Sequence, residues 1–102
     1  MFQPLEETTY ESKIAKVSAG ILICFKQLCP HCRNMEKAIE KFAKRHAQVS
    51  LFKLDMEENP EASQALEAQR APTLFVIKAG KIVARKAGLM NPKELTAFYK
   101  NA

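Results

Sequence analysis

The stretch that most constrains the fold runs from Ile21 to Arg45. Ile21-Leu22-Ile23-Cys24-Phe25 is an unbroken apolar run of strand length. Such a run suits a central strand covered on both faces, because a strand with one wetted side would alternate. Three residues further on, Cys29-Pro30-His31-Cys32 opens a helical pattern from Pro30 to about Arg45. Met35, Ala38, Ile39, Phe42, Ala43 and His46 share one face of that helix at steps of three and four. Two cysteines separated by two residues, where a strand gives way to a helix, read as a redox dithiol. A helix N-terminus leaves backbone N–H groups unpaired and carries partial positive charge, which favours a thiolate at Cys29. Protonated His31 favours the same anion. Pro30 suits the first helical position, where its missing N–H would be unpaired in any case. Cys32 lies one turn in, close enough to Cys29 to close a disulfide by attack on a mixed disulfide.

The flanking segments supply further strands and helices. Phe2 to Leu5 reads as a short edge strand interrupted by Pro4. Thr8-x-x-Glu11 has the form of a capping box and predicts a helix from Tyr10, with Tyr10, Ile14 and Val17 on one face and Gly20 as its stop. Val49 to Leu54 is a second apolar strand. Asn59-Pro60 predicts a helix with Asn as N-cap and Pro at the first position, its thin apolar face made by Ala62, Ala65, Leu66 and Gln69. Thr73 to Ile77 is strongly β-prone, Lys78-Ala79-Gly80-Lys81 reads as a hairpin turn, and Ile82 to Ala87 returns antiparallel. Asn91-Pro92-Lys93-Glu94 caps a last helix whose Leu95, Phe98 and Tyr99 face inward. The expected order is (β)αβαβαββα, with parallel neighbours joined by right-handed crossovers, a closing hairpin, and helices on both faces of a mixed sheet of four to five strands.

With 102 residues the chain is expected to form a single domain over 1–102. No apolar run approaches the ~20 residues that cross a bilayer, and no signal-peptide pattern precedes Thr8, so the expectation is a cytoplasmic protein with no membrane partner. In that compartment structural disulfides are rare, and three cysteines are an odd number for a disulfide framework. The net charge of +5 is spread over Arg33, Lys37, Lys41, Lys44 and Arg45 and over Lys78, Lys81, Arg85 and Lys86. These read as solvated faces; nucleic-acid binding would want basic residues clustered with stacking aromatics. Zinc normally takes four ligands, and neither a second Cys pair nor a His pair is present, so no metal is expected. Cys24 reads as a small buried hydrophobe. His46 is expected to meet the helix dipole or solvent, and Arg70 to be an exposed loop residue.

Taken in this order, Cys29-Pro30-His31-Cys32, Lys53, Asp55, Asn59-Pro60, Ala71-Pro72-Thr73, Gly80 and Gly88 resemble the landmarks of the thioredoxin family, from about Thr8 to the C-terminus. The resemblance implies a thioredoxin fold and thiol–disulfide exchange on protein disulfides. It gives Cys29 the part of nucleophile and Cys32 that of resolving thiol. Pro72 corresponds to the family's cis-proline beside the dithiol. Leu28, Ala71, Thr73 and Gly88 border the substrate groove. Three features depart from the family pattern. Leu28 stands where a Trp is usual, Pro30-His31 replaces Gly-Pro and is similar to the pair of periplasmic disulfide-forming oxidases, and Ile23 stands where an Asp is usually buried behind the dithiol. No nucleotide-binding signature appears, so the chain is expected to use no cofactor and to receive electrons from a reductase or a small thiol. Two alternatives accompany this reading: a thioredoxin-fold binding module with slow or vestigial redox chemistry, and a more oxidising, glutaredoxin- or oxidase-like variant.

Overall fold

The apolar run becomes the middle of the sheet. In the computed structural model, which describes residues 2–102, strand β2 spans Ala19–Phe25 and is flanked by β3 (Ser50–Asp55), parallel, and β4 (Thr73–Lys78), antiparallel. The edges are β1 (Gln3–Pro4), parallel to β3, and β5 (Lys81–Ala87), antiparallel to β4. The strand order is β1-β3-β2-β4-β5. This is the mixed sheet expected, with five strands.

Alternation along the strands sends side chains to two cores. Leu22, Cys24, Phe52, Leu54, Phe75 and Ile77 pack on one face, beneath Ile14 of α1 (Tyr10–Ile14) and Ala62 of α3 (Pro60–Ala65). Ile21, Ile23, Leu51, Leu74 and Val76 pack on the other. There they meet Met35, Ile39 and Phe42 of α2 (Pro30–Arg45), and Leu95 and Tyr99 of α4 (Pro92–Lys100). Cys24 is fully buried, as a small hydrophobe would be. None of the helices among the described residues is long and apolar enough to cross a membrane.

Two of the local signals, a helix cap and a hairpin turn, play out as expected. Asn91 Oδ1 accepts from Glu94 N at 2.8 Å and Glu94 Oε1 accepts from Asn91 N at 2.9 Å, a complete capping box. The Lys78–Lys81 turn places Ala79 and Gly80 at φ of 52° and 76°, the paired positive angles of a type I′ hairpin. A side chain at Gly80 would also collide with Ala15 O, 2.5 Å from the Cβ position.

Other signals are corrected. Thr8 and Glu11 form no capping box: helix α1 takes Thr9 as its N-cap, without a side-chain cap, and lasts five residues. Gly20 does not stop it. Gly20 lies buried in β2, where a Cβ would sit 3.0 Å from both Ser50 O and Val17 Cγ1. Asn59 is the N-cap of α3, but its side chain does not cap. Its Nδ2 donates back to Asp55 O and its Oδ1 accepts from Glu7 N, both at 3.0 Å. The cap comes from far away: Glu7 Oε1 accepts from the backbone N–H groups of Glu61 and Ala62. Helix α3 ends at Ala65, so Gln69 lies beyond it and is exposed. His46 stacks on Phe42 with ring centroids 4.1 Å apart, so packing rather than the dipole alone holds it.

Candidate active site

Helix α2 begins where β2 delivers the chain, at the end of the sheet. Cys29 is its N-cap, with extended backbone, and Pro30 occupies the first turn. The Cys29 sulfur lies where an N-cap acceptor belongs and accepts from Cys32 N at 3.2 Å. The two cysteines are joined as a disulfide, with Cα atoms 5.2 Å apart. Their exposures differ. Cys32 is 1% exposed, whereas Cys29 is only half-buried and His31 is exposed. Leu28, just before the pair, is 93% exposed, an unusual setting for so large an apolar side chain.

The other residues expected to border a groove converge on the same end of the sheet through strand register. Cys24 pairs with Thr73 across β2 and β4, and Thr73 pairs with Ala87 across β4 and β5. Ala71, Pro72 and Gly88 are therefore the residues that leave the sheet beside the end of β2. The Ala71–Pro72 peptide bond is cis, and Gly88 N donates to Pro72 O at 2.9 Å. Gly88 has φ of 94°, a backbone angle that favours glycine. Thr73 Oγ1 donates to Arg70 O, closing the turn that presents Ala71 and Pro72. Arg70 itself is exposed. Met90 N donates to Met35 Sδ at 3.3 Å, which ties the segment after Gly88 to the dithiol helix.

The third cysteine stands apart in chemistry. Burial in the sheet pushes the Cys24 thiol from an ordinary 9.0 up to about 12. It stays a thiol at physiological pH and is a poor nucleophile. Ile23 is fully buried, so no carboxylate occupies that position. Sequence reasoning missed Gln27 and Glu57, which meet beside the dithiol; they are 30 residues apart, and only the pairing of β2 with β3 brings them together.

A sheet of this topology with a cysteine pair closing and opening at the N-terminus of a central helix defines a thiol–disulfide oxidoreductase. The thioredoxin family profile matches residues 1–101. Thioredoxin of Acidithiobacillus ferridurans is 29% identical over 96 residues, 92% of this chain and 89% of that one. Thioredoxin-1 of Saccharomyces cerevisiae is 32% identical over 79 residues, 78% of this chain and 77% of that one. The solution structure of reduced desulfothioredoxin from Desulfovibrio vulgaris Hildenborough superposes with a TM-score of 0.85 at 38% identity, covering 98% of this chain and 97% of that one. The chain belongs to the thioredoxin family, and its activity is thiol–disulfide exchange through the Cys29/Cys32 pair. Proteins carrying disulfides, and reductases, are the partners this membership implies.

Proposed function

We propose that this protein reduces protein disulfides in the cytoplasm, with Cys29 as nucleophile and Cys32 as resolving thiol. The observation that carries the assignment is the difference in exposure: Cys29 is half-buried while Cys32 is 1% exposed. In the reduced protein the Cys29 thiolate attacks one sulfur of a substrate disulfide. A mixed disulfide forms, and the other substrate sulfur leaves as a thiolate. Cys32 loses its proton and attacks Cys29 Sγ, which releases the second substrate thiolate. The substrate gains two electrons and the protein keeps the Cys29–Cys32 disulfide until a reductase or small thiol returns them. The electron-transport role and the reducing compartment both follow from this cycle, because only a reducing supply regenerates the dithiol.

Leu28, Ala71, Pro72, Thr73 and Gly88 form the groove on this reading. An extended substrate segment would lie over the cis-proline turn, with its apolar side chains against Leu28. Pro30 and His31 set the thiolate's stability. The test is a pair of variants assayed on a disulfide-bonded test protein. Cys29→Ser is expected to abolish reduction and to form no adduct. Cys32→Ser is expected to stall as a covalent mixed disulfide through Cys29, identified by mass. Adducts through Cys32 instead would reverse the assignment. Full biological activity in Cys29→Ser would leave the binding-module reading standing.

A further inference from the structure

Between Phe25, the last residue of β2, and Cys29, the N-cap of α2, lie Lys26, Gln27 and Leu28. All three are exposed, and Leu28 is 93% so, which means burial does not fix this segment. Hydrogen bonds do. Gln27 Nε2 donates to Asp55 Oδ2, and Gln27 N donates to Glu57 Oε1 at 3.0 Å. Phe25 O accepts from Met56 N at 2.8 Å. The acceptor is itself held. Asp55 is only 8% exposed, and its Oδ1 accepts from the backbone N–H groups of Glu57 and Glu58 at 2.9 and 3.2 Å. A short bracket thus ties the segment ahead of the nucleophile to the loop after β3.

We infer that Gln27 is a positioning residue for this reaction: its bracket to Asp55 and Glu57 holds Leu28 as a fixed apolar lip beside Cys29. The inference rests on the groove reading above, in which Leu28 meets substrate. Leu28 has almost no contact surface of its own to hold it, so its position is inherited from residue 27. The redox pair does not depend on the bracket in the same way. The first turn of α2 and the bond from Cys32 N to Cys29 Sγ hold it. The chemistry at Gln27 is also specific. Its side-chain amide donates to one carboxylate and its backbone N–H to another, so an ionised acid at this position could not take its place. The other charged groups around it are Glu6, Lys53 and Glu58, which line the same cleft of about 500 Å³. Among the residues lining this cleft Lys53 is the cation and Glu6, Asp55 and Glu58 are the carboxylates, with exposed Lys26 next to Gln27 in the chain; a negative charge at position 27 would face Asp55 and open the bracket.

The experiment compares Gln27→Ala, Gln27→Glu and Leu28→Ser with the unmodified protein, using a protein disulfide and a small aromatic disulfide as substrates. Gln27→Ala is expected to raise KM for the protein disulfide three- to tenfold. Its kcat on the small disulfide and its reduction potential should be unchanged. Gln27→Glu, whose ionised carboxylate cannot donate to Asp55, should raise KM for the protein disulfide at pH 8 at least as much as Gln27→Ala does. Equal losses on both substrates, or a KM unchanged in Gln27→Ala, would overturn the inference. If Leu28→Ser raises KM for the protein disulfide while Gln27→Ala does not, the groove reading stands and the bracket fails. If Leu28→Ser leaves KM unchanged, the groove reading fails as well.

Discussion

His31 is the residue that sets this dithiol apart from a Gly-Pro pair. It is exposed and sits in the first turn of α2, two residues after the N-cap Cys29. Any thiolate that forms there gains from the helix N-terminus and from a protonated imidazole. Stabilising the thiolate stabilises the reduced protein and makes the disulfide the stronger oxidant. The couple is therefore expected to lie above thioredoxin's ~−270 mV. His31→Pro is expected to move it to a more negative value, read by equilibration against glutathione with thiol trapping. Through the same thermodynamic cycle, that variant should lower the melting temperature of the reduced form relative to the oxidised one. An unchanged potential would remove His31 from the account. Cys24 gives the opposite case, a thiol kept neutral. Its folded value is about 12 against an ordinary 9.0. Below pH 9 the group is protonated in both the folded and the unfolded chain and has no effect. As pH rises from 9 towards 12 the unfolded chain loses the proton first, so stability falls by about 1.4 kcal/mol per pH unit. Urea unfolding at pH 8 and pH 10.5 should show a smaller loss for Cys24→Ala than for the unmodified protein. Both cysteine roles were legible in the sequence, one from a CxxC at a strand–helix junction and the other from its place in an apolar run. Gln27 was not. Nothing local distinguishes a glutamine in a three-residue link from any other, and its partners lie in a different strand and loop.

The helices separate signals that work from signals that only look right. Asn91 and Glu94 close their capping box because Pro92 sets the first turn and nothing competes for either side chain. Thr8 and Glu11 have the same spacing, but the chain enters α1 one residue later, at Thr9. Asn91→Ala is expected to cost about 1 kcal/mol, and Thr8→Ala to stay within about 0.5 kcal/mol of the unmodified protein, both read from thermal unfolding. Helix α3 shows why spacing rules stop short. Asn59-Pro60 marked its start correctly, yet the acceptor for its free N–H groups is Glu7, more than 50 residues earlier. A periodicity or a capping motif reads at most a turn or two along the chain. A cap delivered from another element leaves no local trace.

The architecture was legible because β2 and β4 are nearly continuous apolar runs, β3 is largely apolar, and the breaks after β2, β3 and β4 carry Pro, Asn or Gly. Edge strands are short or polar and gave weaker signals, as β1 shows with two residues. The dithiol site inherits its precision from the sheet. Register sets Thr73 beside Cys24 and Ala87 beside Thr73, so the proposed groove draws on three separate pieces of chain. The N-terminal segment belongs to this scaffold although it is remote from the dithiol in sequence. Gln3 and Pro4 pair only with β3, and Glu7 caps α3, which follows the loop that carries Glu57. Glu7→Ala is expected to speed hydrogen exchange at the amides of Glu61 and Ala62 while the central strands keep their protection. Unchanged exchange at those two amides would show that the remote cap contributes nothing. The cap also has a consequence in time. During synthesis Glu7 is made long before Glu61 and Ala62, and β1 before β3. The segment from Gln3 to Glu7 therefore waits for about 50 residues of synthesis before its partners exist, while β2 and α2 are already available to one another. Its docking comes only after the dithiol helix has been laid down.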